Sequence, residues 1–385
     1  MTQKATTMLK LTPGQERTVR QIQEHSFRAY CKHAGYEEQE HAALLFSFAR
    51  KKLDDILANV DLKDIDDDEQ RQRLEAILKA DNFLDLRQAE MEDRRKGYAK
   101  TLAAAADRLP IAYEYTAGLC EKFGLAKPEA ERPSSIRGWV EAVPLLMSWD
   151  WEFNAFMGKA TLIDDLPCIC IYESLLSACD AFLDCIAPVA INFGSKTRAR
   201  PTSDCEAMGS ESEFMERLHS CLRLLLGESN YGLASKDEIE RKSRNTIMAM
   251  TEGSVQMVWF HEFGHLLLGH LEQPESHTIE FEADRFALSV IANDTAGKPL
   301  AVWPGLGSMT IFILLDIIET IEKHDETPSH PSAKRRIKAA LDFWEKANPL
   351  VFTAARSFLP SVTATCIRRC SATGMCHSRI SRVRN

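Results

Sequence analysis

The stretch Val258-Trp259-Phe260-His261-Glu262-Phe263-Gly264-His265-Leu266-Leu267-Leu268-Gly269-His270 decides how this 385-residue chain is read. Inside an apolar run with the pattern of one helix, residues 261–265 spell His-Glu-x-x-His. At about 100° per residue, positions four apart share a helix face, so His261 and His265 point the same way. Two imidazoles one turn apart can grip one zinc ion. Glu262, beside the first of them, can take a proton from an attacking water. The competing reading is a core helix whose polar side chains satisfy one another. Burying two His and a Glu with no shared task is costly, which weighs against it.

Gln273-Pro274-Glu275-Ser276 breaks that helix, and a second apolar segment starts near Thr278. On it Glu280 and Asp284 lie four residues apart on one face. If the two helices pack antiparallel across the short loop, Glu280 returns beside His265. It is then the natural third ligand, an anionic oxygen donor that zinc accepts. Asp284, one turn on, can accept the free ring N–H of His261 and fix that ring's tautomer and orientation. The fourth coordination position stays open, as a catalytic zinc site requires. A solvated acidic first turn is the alternative for this pair. Glu282 is the rival third ligand, but it lies about 200° around the helix from Glu280. The metzincin pattern does not fit, because its third His and its glycine would fall on Leu271 and Leu268. His270 is about 140° off the ligand face and reads as a helix-end His. His277 reads as a solvent-facing loop residue.

Downstream, Thr327-Pro328-Ser329-His330-Pro331-Ser332 reads as a loop entering a helix, with Ser329 or Ser332 as its cap. Taken together, His261-Glu262-x-x-His265, Glu280-x-x-Ala283-Asp284 and His330-Pro331 with Arg336-Ile337 resemble the soluble catalytic core of the HtpX and CAAX-prenyl-protease metallopeptidases. On a helical chain with a short gap between the second His and the Glu, they resemble more closely the Lit phage-exclusion peptidases. The resemblance covers roughly residues 255 to 340. It implies a gluzincin-type zinc endopeptidase, with Zn2+ held by His261, His265 and Glu280, and Glu262 as the base. It also implies His330 as a donor to the oxyanion, Asp284 as the partner of His261, and Arg336 as a brace between helices. A translation factor such as elongation factor Tu, cut during phage infection, would be the substrate. Two readings from other classes stand beside it: a metal-binding regulator or sensor with a catalytically silent zinc site, and a helical interaction protein without metal.

The bulk properties suit such an enzyme. Hydrophobic content of 45% and charged content of 27% are those of a globular protein. A net charge of -9 argues against a nonspecific nucleic-acid binder. The first residues lack the apolar segment of a signal peptide, so a cytoplasmic location is expected. Leu300 to Ile318 is the most apolar stretch. Pro304, Gly305, Gly307 and Asp316 interrupt it, so a buried helix is expected there rather than a membrane span. The eleven scattered cysteines point to reduced thiols.

The expected fold is mainly α (α+β being the alternative): a zincin-like catalytic core, an N-terminal helical body and at most a small β-sheet. Residues 1–130 form the helical region, with a loose polar start up to Gly14, and 131–245 a mixed body of the cleft. The peptidase core occupies 246–348, and 349–385 read as a basic, disordered tail. Leu166–Tyr172 and Ile186–Phe193 are candidate strands to hold an extended substrate by main-chain pairing. Oligomeric state is not readable.

Overall fold

A computed structural model describes residues 12–57, 68–122, 133–149, 155–160, 166–173, 175–183, 241–298, 302–322 and 326–357. The expected strand at 186–193 and the cysteine-bearing tail from residue 358 lie outside them. The fold is mainly α, with one small sheet. The chain divides into two compact units: residues 1–107 with 113–173, and residues 108–112 with 174–385.

In the first unit, α1 (Pro13–Ala34) starts where a loose polar segment was expected. The Thr12 hydroxyl accepts the N–H of Gln15, and the Gln15 side chain accepts the N–H of Thr12. This reciprocal cap satisfies two otherwise orphaned donors, and Pro13 at the first helical position has no N–H to lose. The unit continues with α2 (Glu38–Leu57), α3 (Asp68–Leu78), α4 (Phe83–Ala105), α5 (Tyr113–Lys122) and α6 (Pro133–Ala142). Then come β1 (Leu145–Ser148), β2 (Ala155–Ala160) and β3 (Leu166–Tyr172).

The strand order is β1-β3-β2, with β1 parallel and β2 antiparallel to β3. β3 has the bounds expected of it, and its alternation buries the thiols of Cys168 and Cys170 in one cluster with Leu146 and Val19. Its expected role as a substrate-pairing strand is corrected. Among the described residues β3 is the central strand, with β1 paired along residues 169–172 and β2 along 166–171, so it does not offer a full free edge to a guest strand.

The second unit contains α7 (Arg241–Leu267), α8 (His277–Thr295), α9 (Val302–Glu322) and α10 (Ala333–Ala347). α7 packs against α8 and α9, and α10 lies on α8 and α9. Periodic apolar residues account for this. Trp259, Phe260 and Phe263 of α7, Phe286 and Ile291 of α8, and Phe312 and Leu314 of α9 are all fully buried. Each such side chain contributes about 1.5–3 kcal/mol. α9 is long and apolar enough to cross a membrane by length and composition, and 67% of that stretch is buried against its neighbours. Residues 349–357, read from sequence as the start of the tail, are helical, and Val351 and Ala355 are buried. Val351 packs onto α9 at Gly305.

Two glycines set the distance between α7 and α9. A Cβ on Gly253 would collide with the backbone of Pro304, and one on Gly307 with the backbone of Met250. Gly307→Ala therefore has to move one helix off the other. Overpacking of this kind costs about 1–3 kcal/mol, more than the ~1 kcal/mol that alanine gains in helix propensity. A net loss of stability, read as a lower denaturant midpoint at unchanged slope, is the expected outcome for Gly307→Ala.

Candidate metal centre

α7 delivers His261 and His265 one turn apart, and α8 runs back alongside it. Small residues make the approach close. A Cβ on Gly264 would sit 3.3 Å from both Ala283 Cα and the Phe286 ring, so the two backbones nearly touch here. That proximity carries Glu280 to the two imidazoles. Its carboxylate oxygens lie 3.5 Å from His261 Nε2 and 3.6 Å from His265 Nε2, and the two Nε2 atoms are 3.1 Å apart. Two donors bound to one tetrahedral zinc at about 2.0–2.1 Å sit about 3.3 Å from each other. The three separations are of that size, with His261 facing Oε2 and His265 facing Oε1 of the carboxylate.

The outward ring nitrogens are also occupied. His261 Nδ1 is 2.9 Å from Asp284 Oδ1. Asp284 is buried and is held on its other side by Arg336 of α10. The guanidinium donates from Nε to Oδ2 at 2.8 Å and from a terminal nitrogen to Oδ1 at 2.5 Å. Arg336 also lies over the Phe312 ring at 5.2 Å and stands 3.8 Å from Glu280 Oε2. His265 Nδ1 faces His270 Nδ1 at 3.1 Å, and His270 Nε2 faces Glu282 Oε2 at 3.1 Å.

Burial and charge oppose each other in this cluster. Burial favours neutral imidazole, but at His261 the hydrogen bonds of Asp284 and Glu280 outweigh it and lift the pKa to about 10. At His265 burial is reinforced by the neighbouring His261, and the pKa falls to about 3. Burial also pushes both carboxyls up. The imidazole of His261 and the guanidinium of Arg336 outweigh it and hold Glu280 and Asp284 below the usual carboxylate range. Glu262 is buried on α7 beside His261, and its charge helps keep Arg336 protonated.

The structure thus brings together His261, His265, Glu280, Asp284 and Arg336, with Glu262 adjacent. His330 is at the rim. Its side chain is 60% exposed, and its Nε2 lies 3.9 Å from Glu280 Oε1. Its loop is shaped by Thr327, whose hydroxyl accepts the N–H of His330, while Ser329 Oγ lies 2.9 Å from His330 Nδ1. His277, expected to face solvent, pins this loop instead. Its Nε2 is 2.6 Å from the Thr327 carbonyl and its Nδ1 2.9 Å from Glu326 Oε1. Neither expected serine caps α10 with its side chain. The carboxylate of Glu319, from α9, accepts the N–H of Ala333.

Sequence reasoning kept His270 and Glu282 out of the ligand set, as the structure does, but did not read their contact with His265 or with each other. Helical periodicity placed His270 off the ligand face, but the helix ends at Leu267. Gly269, at φ 78°, turns the chain into a 3-10 turn that folds His270 back over His265. Gly269 was itself the signal, because a left-handed glycine after a helix cancels angular extrapolation beyond it.

Two helix-borne imidazoles and a carboxylate from the neighbouring helix form a buried His-His-Glu group that could hold a metal ion. Residues 233–349, which contain the whole group, match the model of the family Peptidase U49, the Lit protease family of metallopeptidases. This match bears on the second of the two resemblances read from the sequence. No curated protein and no solved structure gives a significant match.

Arg336 supplies the guanidinium held against Asp284. Arg336→Ala leaves a buried carboxylate facing His261 alone, and breaking a buried pair this way costs about 3–5 kcal/mol. Chemical denaturation is expected to report a loss of that size. A loss under ~1 kcal/mol is the signature of an exposed pair and would contradict the burial seen here.

Proposed function

We propose that this chain is a zinc-dependent endopeptidase that hydrolyses a peptide bond in a cytosolic protein. One observation carries the reading. Both imidazoles turn Nδ1 outward to a hydrogen-bond partner and Nε2 inward to the Glu280 carboxylate, His261 facing Oε2 and His265 facing Oε1. Such an arrangement suits a cation: without one a proton on His261 has to join the three groups, and a divalent ion can take that proton's place. A divalent cation held there supplies Lewis acidity toward the scissile carbonyl and lowers the pKa of water.

The chain's own groups do the rest. Glu262 accepts a proton as water oxygen bonds to the carbonyl carbon, then returns it to the amine nitrogen as the C–N bond breaks. His330, at the rim, donates to the oxyanion of the tetrahedral state, a contact typically worth about 2.7–4 kcal/mol. Asp284, itself held by Arg336, keeps the His261 ring in the tautomer whose Nε2 lone pair faces inward. A base beside the donor set favours an enzyme over a silent sensor, since a purely structural site has no use for Glu262. The family match supports a protein substrate. With the Lit resemblance it supports a phage-exclusion role, with a translation factor such as elongation factor Tu as the target.

Glu262→Gln separates binding from chemistry. Elemental analysis of the purified variant is expected to find wild-type zinc, while cleavage of elongation factor Tu or of a peptide library falls by orders of magnitude. Undiminished cleavage would remove Glu262 from the mechanism. Glu280→Ala is expected to lose the metal and the activity together. Full zinc occupancy in that variant would rule out Glu280 as a ligand.

A further inference from the structure

The geometry points to His270 and Glu282 as a positioning pair that sets the tautomer of His265 and so aims its Nε2 lone pair. This inference rests on the reading of His261, His265 and Glu280 as a metal site. A ring nitrogen can bind a cation only if the ring proton sits on the other nitrogen. For His265 that other nitrogen is Nδ1, which faces His270 Nδ1 at 3.1 Å. Two ring nitrogens at that distance form a hydrogen bond only if one donates and the other accepts.

Glu282 decides which one donates. Its carboxylate can only accept, so His270 Nε2, 3.1 Å from Glu282 Oε2, has to be the donor. With its proton on Nε2, a neutral His270 offers a bare Nδ1. His265 Nδ1 must then be protonated, and His265 Nε2 is left with a free lone pair directed at Glu280 and His261. The two candidate ligands are therefore treated alike by different means. Asp284 fixes the His261 ring directly, and Glu282 fixes the His265 ring through an intervening imidazole.

The local fold is built for this contact. A helix continued past Leu267 would carry residue 270 away from the ligand face. The left-handed turn at Gly269 brings it back, and His270 ends 3% exposed. A His fully enclosed at a helix end, with both ring nitrogens engaged, has no access to solvent or substrate. Its remaining output is the orientation of the ring it touches. Glu282 is the outer member, with 56% of its side chain exposed.

The test uses the full chain and zinc itself. Zinc affinity is measured by competition with a chromophoric chelator for wild type, His270→Phe, His270→Asn and Glu282→Ala. Phenylalanine keeps the ring volume without the acceptor, and affinity is expected to fall about 10- to 100-fold, the usual effect of losing a ligand's outer partner. Asparagine places a carbonyl oxygen where His270 Nδ1 stands, and affinity is expected to stay near that of wild type. Glu282→Ala, a change on the surface that spares the core, is expected to lower affinity by a smaller factor. In the metal-free protein the 15N shifts of the His265 ring are expected to report Nδ1–H in wild type and His270→Asn, and a tautomer mixture in Glu282→Ala. A purely structural role for Glu282 would not move that signal.

Equal zinc affinity in wild type and His270→Phe overturns this inference and leaves the metal site standing. A wild type that takes up no zinc overturns both. Should His270→Phe fail to fold, Glu282→Ala decides: wild-type affinity with an unchanged His265 ring signal would sink the inference.

Discussion

The carboxylate of Asp284 holds three helices in register. It belongs to α8, it accepts from the His261 ring on α7, and it receives two hydrogen bonds from Arg336 on α10. Being buried, it has no bulk water to substitute for any of these contacts. Taking a carboxylate and a guanidinium out of water costs several kcal/mol per ion, and geometry this good is needed to offset it. Apolar packing supplies the remainder. The same three helices bury Phe263, Phe286 and Trp344, and Phe312 of α9 offers its ring face to Arg336. The charged cluster and the apolar core therefore depend on each other. Without the packing the ions would be hydrated and loose, and without Asp284 the His261 ring would lose the partner that holds its Nδ1.

The same logic extends to the rim. α10 is positioned by Arg336 from inside and by Glu319 at its first turn, so the segment before it cannot drift far. His277 and Glu326 fasten that segment to the start of α8, and Arg335 bonds Glu326 while lying over the Phe281 ring. His330 thus sits on an anchored turn although its side chain is exposed.

Much of this was legible in the chain because helical spacing is a strong signal. His261 and His265 at a separation of four, and Glu280 and Asp284 at the same separation, could be placed on facing stripes from periodicity alone. Leu166–Tyr172 could be read as a strand from its alternating pattern. Its neighbours β1 and β2 were not, and with them went the knowledge that β3 has no full free edge. Pairing partners far apart in sequence leave no local mark. The contacts of His270, Glu282 and Glu319 were not foreseen for a related reason. Each acts across a turn or between helices, where contact depends on dihedral angles and packing rather than on spacing. Gly253 and Gly307 show the limit from another side, since a glycine that permits close backbone contact looks in sequence like any weak helix position.

The unit that carries the metal group is not one continuous run of chain. Residues 108–112 belong to it: the N–H of Ala112 bonds the Leu267 carbonyl at the end of α7, and Arg108 reaches Asn293 of α8. At the other end Val351 fills the space beside Gly305, past the last residue of the family match. Subcloning residues 233–349 by themselves would strip a main-chain donor from the helix terminus nearest the imidazoles and uncover one flank of α9. Minimised versions of this unit would have to retain both a short tether borrowed from upstream and the helix that follows, or replace them by redesign.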